Sequence, residues 1–74
     1  MAGTTSTVKY EAYLVEDTEG EWAASATFGS GADPGDMWAF VDAAKARIQR
    51  RYPTLTFTGH VVRYDEVTTE IPHP

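Results

Sequence analysis

Two histidines are the first candidates for chemistry, because imidazole suits proton transfer and metal binding near neutral pH. His60 lies in a threonine-rich apolar stretch and His73 is the penultimate residue. Neither has a second ligand at a spacing typical of zinc sites. The chain has no cysteine, and no serine, histidine and aspartate form a recognisable nucleophilic set. We therefore expect no catalytic residues and no metal site.

A glycine-rich stretch, residues 29–35, is the candidate for binding a phosphate group, since such loops bind anions where they precede a helix. Asp33 and Asp36 lie in or beside it and would repel a phosphate. The spacing matches neither a dinucleotide-binding nor a Walker sequence. We expect no nucleotide or other cofactor.

Charge is unevenly distributed along the 74 residues, whose formal net charge is −5. Residues 1–36 carry one base and seven acids, whereas residues 37–74 carry five bases and four acids. An acidic surface that imitates nucleic acid and inhibits a basic partner is one alternative function. Its residues would be Glu11, Glu16, Asp17, Glu19 and Glu21. Weak nucleic-acid binding through Arg47, Arg50, Arg51 and Arg63 is a further alternative, although the acidic half makes nucleic acid an unlikely partner.

One long helix, residues 33–52, is the element that must organise the chain. Asp33 is a suitable N-cap, Pro34 suits the first helical position, and Pro53 disfavours helical geometry at Tyr52. An apolar stripe with helical spacing requires a surface to pack on. Its members are Met37, Phe40, Val41, Ala44, Ile48 and Tyr52.

Strands are predicted on both sides of this helix. Alternating residues from Thr7 predict a first strand, and residues 21–28 predict a second, joined to it by an acidic turn that ends at Gly20. Threonines alternate with apolar residues over 54–64 and predict a third strand. We expect a bulge at Gly59, or alternatively a turn there that creates a fourth short strand.

The element order β-β-α-β predicts an α+β fold with a three-stranded antiparallel sheet, strand order 2-1-3, and the helix on one face. The predicted core is Val8, Tyr10, Ala12, Leu14, Trp22, Ala24, Ala26, Phe28, Met37, Phe40, Val41, Ala44, Ile48, Leu55, Phe57 and Val61. We also expect a disordered N-terminus over residues 1–6, one domain over 7–66, and a loose tail over 67–74.

The uncovered sheet face has two interpretations, a solvated polar surface or a contact surface for another protein. Trp38 also has two interpretations: it packs at the edge of the core, or it is an anchor that binds a partner. We expect a small soluble, cytoplasmic, non-catalytic module that binds a protein partner and forms homo-oligomers through this face or an edge strand. The chain shows no membrane-spanning stretch. The candidate partner-binding residues are Tyr13, Val15, Trp38, His60, Val62 and Tyr64.

One family shows a similar pattern. A strand, an acidic turn closing on Gly20, a tryptophan-bearing second strand, a glycine link and an alanine-rich helix resemble the N-terminal domain of HicB-type antitoxins, over roughly residues 8–50. The family's strand arrangement and DNA-binding segment have no counterpart in the sequence. The resemblance implies neutralisation of a partner protein.

Overall fold

The computed structural model describes residues 8–74 and has the element order β-β-α-β-β. The strands are β1 (Lys9–Glu16), β2 (Trp22–Phe28), β3 (Phe57–Tyr64) and β4 (Thr68–Glu70). The helix is α1 (Pro34–Arg51). All four strands form one antiparallel sheet in the order β2-β1-β3-β4, with α1 packed on one face. The predicted α+β class and the 2-1-3 order are confirmed.

The start of α1 follows from its capping residues. Asp33 has extended backbone geometry, and its carboxylate accepts a hydrogen bond from the Gly35 N–H at 2.8 Å. Pro34 stands at the first helical position, where its missing N–H costs no helical hydrogen bond. Tyr52 leaves helical geometry immediately before Pro53, as predicted.

The β1–β2 turn is fixed by backbone geometry and by one carboxylate. Gly20 has a φ of 72°, which glycine adopts without a steric penalty. The Glu16 side chain accepts hydrogen bonds from the N–H groups of Thr18 and Glu19, at 2.8 and 2.9 Å. These two bonds lower the pKa of the Glu16 carboxyl group.

Gly59 lies within an uninterrupted strand, so both the bulge and the turn predicted there are wrong. β3 pairs with β1 in one continuous register from Phe57 to Tyr64. The glycine is needed for helix packing, because a Cβ atom at position 59 would overlap Cγ1 of Val41 and contact the Trp38 ring. A fourth strand does exist, but it follows Asp65 and pairs with the end of β3.

The irregularity in the sheet lies in β2. Leu14 pairs with Ala24 and Val15 pairs with Trp22, so Ala23 is an extra residue without a partner on β1. An extra residue reverses the alternation of side chains beyond it. Trp22 therefore leaves the face of Ala24, Ala26 and Phe28, and its predicted place in the core is wrong.

The core lies between α1 and the inner face of β1 and β3. It is centred on side chains that are almost fully buried: Ala12, Leu14, Met37, Trp38, Val41, Ala44, Phe57 and Val61. Several predicted core residues are only partly buried around it: Val8, Tyr10, Ala24, Ala26, Phe28, Phe40, Ile48 and Leu55. Tyr52, at the end of the predicted helical stripe, is 49% exposed.

Candidate interaction surface

Three aromatic rings form a row across the outer face, the sheet face that points away from α1. Trp22 of β2 stacks on Tyr13 of β1, with ring centroids 4.1 Å apart and planes 9° apart. Tyr13 stacks in turn on His60 of β3, at 5.1 Å and 23°. The β1–β3 register places Tyr13 directly opposite His60. The row begins at the free edge of the sheet and ends near its middle.

Hydrogen bonds occupy the polar atoms beside this row. The Tyr64 hydroxyl group donates to Glu11 Oε1 at 3.1 Å, and His60 Nδ1 lies 3.1 Å from Glu70 Oε1. The bond to Glu11 raises the pKa of Tyr64, because the neutral phenol is the donor. Partial burial, followed by the nearby carboxylates of Glu70 and Glu11, raises the pKa of Tyr13. This part of the outer face is thus largely satisfied within the chain.

The two valines predicted for the contact surface differ in accessibility. Val62 belongs to the outer face by register, since it pairs with Glu11 on one side and Glu70 on the other. Its exposure is only 3%, so it offers almost no surface to a partner. Val15 is half-buried on the same face.

Trp38 lies on the other side of the sheet, and the structure does not bring it together with the other five predicted residues. Its exposure is 8%, and its Nε1–H donates to the Ile71 carbonyl at 3.2 Å. The His73 ring lies 4.5 Å from the Trp38 ring, and His73 Nε2 lies 2.8 Å from Asp42 Oδ2. Trp38 therefore occupies the edge of the core, under the segment that follows β4.

Residues 67–74, predicted to form a loose tail, thus have defined contacts on both sides of the sheet. The β4 strand pairs with β3, and Ile71 packs against the core. The predicted looseness of residues 67–74 concerns their motion, which these contacts do not measure, and it stays a prediction.

Trp22 is the site residue that sequence reasoning missed. It is 51% exposed and stands at the sheet edge, where it forms one end of the aromatic row. Alternation counted back from Phe28 predicts an inward Trp22, and the single extra residue that reverses this leaves no mark in the residue types around it.

The two edges of the sheet differ in their protection. The β4 edge has three residues and is flanked by Asp65, Glu66 and Pro72. The β2 edge has seven residues, with the sequence WAASATF, and contains neither a charge nor a proline, and its bulge at Ala23 lies near one end. Among residues 8–74, β2 pairs only with β1, so one side of its backbone has no strand partner. Natural proteins rarely leave a long uncharged edge of this kind open.

An open groove of about 320 Å³ lies between β2 and the C-terminal end of α1. Apolar and aromatic side chains dominate its lining, and two carboxylates complete it. The lining residues are Glu16, Glu21, Trp22, Ala23, Ile48, Tyr52, Leu55 and Phe57. The groove and the free backbone of β2 thus share one edge of the molecule.

The predicted acidic surface is divided by its hydrogen bonds. Glu11 accepts from Tyr64, Glu16 accepts from its own turn, and Asp17 Oδ1 accepts from the Thr58 hydroxyl group at 2.7 Å. Glu19 and Glu21 are exposed at the turn. Three of the five predicted carboxylates are therefore engaged within the chain.

The four candidate arginines lie on two different elements, Arg63 on β3 and the other three on α1. Arg63 pairs with Asp65 at 3.4 Å, while Arg47, Arg50 and Arg51 are exposed toward the end of α1. Within residues 8–74, no three histidine, aspartate or glutamate side chains come together in a way that would hold a metal ion.

Comparison with protein-family models, with curated protein sequences and with solved structures gives no significant match. The similarity to HicB-type antitoxins is therefore one of element pattern alone. Within the described residues, no helix is long and apolar enough to cross a membrane.

Proposed function

We propose that this protein is a small non-catalytic interaction module that self-associates through the β2 edge of its sheet. The observation that carries the proposal is the uncharged seven-residue edge of β2, which has no strand partner among residues 8–74 and has the half-exposed Trp22 at one end. Pairing of a second strand supplies partners for the free N–H and C=O groups of β2. In this proposal the protein acts by binding a second copy of itself through β2.

The outer face supports self-association less well than the edge does. Val62 is buried, and Tyr64 and His60 have partners within the chain. Trp22 is the large apolar side chain of this face that stays exposed, and it belongs to β2. Among the residues predicted to bind a partner, Tyr13 contributes by holding the Trp22 ring in place.

An acidic inhibitor of a basic partner stays the alternative proposal, and salt dependence separates the two. Each copy carries a net charge of −5, so two copies repel each other at long range. Screening by salt weakens this repulsion and favours self-association. Binding to a basic partner responds in the opposite sense, because salt screens the attraction.

Sedimentation velocity across a concentration series tests the proposal. We expect a monomer at low concentration, a dimer at high concentration, and a stronger dimer at high salt. A second pair of samples locates the contact: Thr27→Lys on β2 and Thr68→Lys on β4. Both positions are exposed threonines on edge strands, so the change in charge is matched. Lysine on an edge strand disfavours pairing, and only Thr27→Lys should weaken the dimer.

A wild-type protein that stays monomeric at every concentration and salt level contradicts self-association. A dimer that Thr68→Lys weakens and Thr27→Lys leaves intact contradicts the assignment to β2.

A further inference from the structure

We infer that two copies of this chain pair β2 with β2 in antiparallel orientation, about a two-fold axis that passes through the sheet at Ser25. The inference rests on the proposed function, since it specifies the partner and the register at the same edge. The result is a continuous eight-stranded sheet with both helices on one face. A second copy fits this edge because it supplies a strand of the same length and the same lack of charge.

The length of β2 favours a two-fold axis at Ser25. Ser25 is the middle residue of Trp22–Phe28, so a two-fold axis at this position brings the two strands side by side over their whole length, and the bulge at Ala23 interrupts regular pairing only near the two ends. An axis at any other residue of β2 leaves part of each strand without a partner. The side chain of Ser25 is exposed and lies on the outer face opposite Tyr13, so pairing there displaces no core residue.

The distribution of charge at the two ends of β2 also favours an axis at Ser25. The turn at the Trp22 end of β2 carries Asp17, Glu19 and Glu21, whereas the link at the Phe28 end, residues 29–32, has no charge. Pairing about Ser25 brings Glu19 and Glu21 of each copy beside the link of the other, which carries no charge before Asp33. An axis nearer Trp22 would bring the two acidic turns together and increase their repulsion.

The groove between β2 and α1 also favours an axis at Ser25. Phe28 lies on the inner side of the sheet, where it packs edge-on against Phe40 at 6.3 Å. Pairing about Ser25 places Phe28 of the second copy level with Trp22 and Ala23, which both line the groove. Each copy thereby adds an aromatic side chain beside the apolar groove of the other.

Cysteine cross-linking tests this register, because the chain has no cysteine of its own. At the axis, two Ser25→Cys residues face each other with Cα atoms about 4.5–5.5 Å apart, within the range that a disulfide spans. Two Thr27→Cys residues lie about 13 Å apart along the strands and cannot be bridged. Both parent residues are exposed on the outer face of β2, so the variants are matched.

Under mild oxidation, we expect Ser25→Cys to form a disulfide-linked dimer at least tenfold faster than Thr27→Cys. Faster linking of Thr27→Cys overturns the register. No linking of either variant, while the wild-type protein sediments as a dimer that Thr27→Lys weakens, also overturns it and leaves edge pairing in place. A wild-type monomer at all concentrations overturns both this inference and the proposed function.

Discussion

At the scale of single residues, one glycine sets how closely the helix approaches the sheet. Gly59 faces Val41 and Trp38, and a methyl group in its place would overlap a γ-carbon of Val41. Valine strongly prefers one rotamer in a helix, so relieving the overlap by a side-chain rotation is costly. The alternative is a shift of the backbone of α1 or β3, which disturbs the packing between them.

Gly59→Ala is therefore expected to lower the free energy of unfolding by about 1–3 kcal/mol, as overpacking of a filled core does. Chemical denaturation measures this. Gly31→Ala is the control: a Cβ there meets no atom within 4 Å, so we expect a change within about 0.5 kcal/mol.

Adding Val41→Ala to Gly59→Ala removes the overlapping atom, so the cost of the glycine change should be smaller in that background. Equal costs in both backgrounds would show that Val41 is not what requires a glycine at position 59.

Trp22 and Gly59 also show the limit of sequence reasoning about single positions. Glycine in a strand is typical both of bulges and of sites where another element packs closely, and the residue types around Gly59 do not distinguish the two. The true bulge at Ala23 has an ordinary strand residue at its centre. One extra residue reverses the side chains on its far side from Phe28, so the bulge at Ala23 decides that Trp22 faces solvent and not the core.

At the scale of elements, the sequence predicted the large pieces well because their signals are local. Asp33, Pro34 and Pro53 define the ends of α1, and alternation defines β1. The β4 strand was not predicted, since its three residues are all exposed and carry no apolar alternation. Its position depends on pairing with β3 and on the contact of Ile71 with the core, which are both tertiary.

The segment after β4 contacts α1 through the titratable side chain of His73, whose Nε2 lies 2.8 Å from Asp42 Oδ2. The bond from His73 to the Pro74 carbonyl, followed by the bond to Asp42, raises the pKa of the imidazole above its ordinary value of 6.5. A raised pKa in the folded state means that the stabilisation is complete below pH 6.5. It is lost as the pH rises through the folded-state pKa.

An NMR titration of the His73 ring should therefore give a pKa above 6.5 in the wild-type protein and a lower one in Asp42→Asn. The asparagine keeps the size of the side chain and removes its charge. An unchanged His73 pKa in Asp42→Asn would contradict the contact with the helix.

At the scale of the whole molecule, the described part of the chain leaves the β2 edge of the sheet without a strand partner. A single helix covers β1 and β3, whereas β2 keeps a free edge, a groove and an exposed tryptophan on the same side. A chain of this length has little core to stabilise it, and pairing of two copies would extend the sheet without any change in the fold of either.

Amide hydrogen exchange at several protein concentrations measures the central claim directly, because it reports which backbone groups become protected when copies meet. We expect protection of β2 amides, over residues 22–28, to rise with concentration, while β4 amides over residues 68–70 stay unchanged. Protection of β2 that is independent of concentration, or a rise confined to β3 and β4, would contradict pairing at this edge.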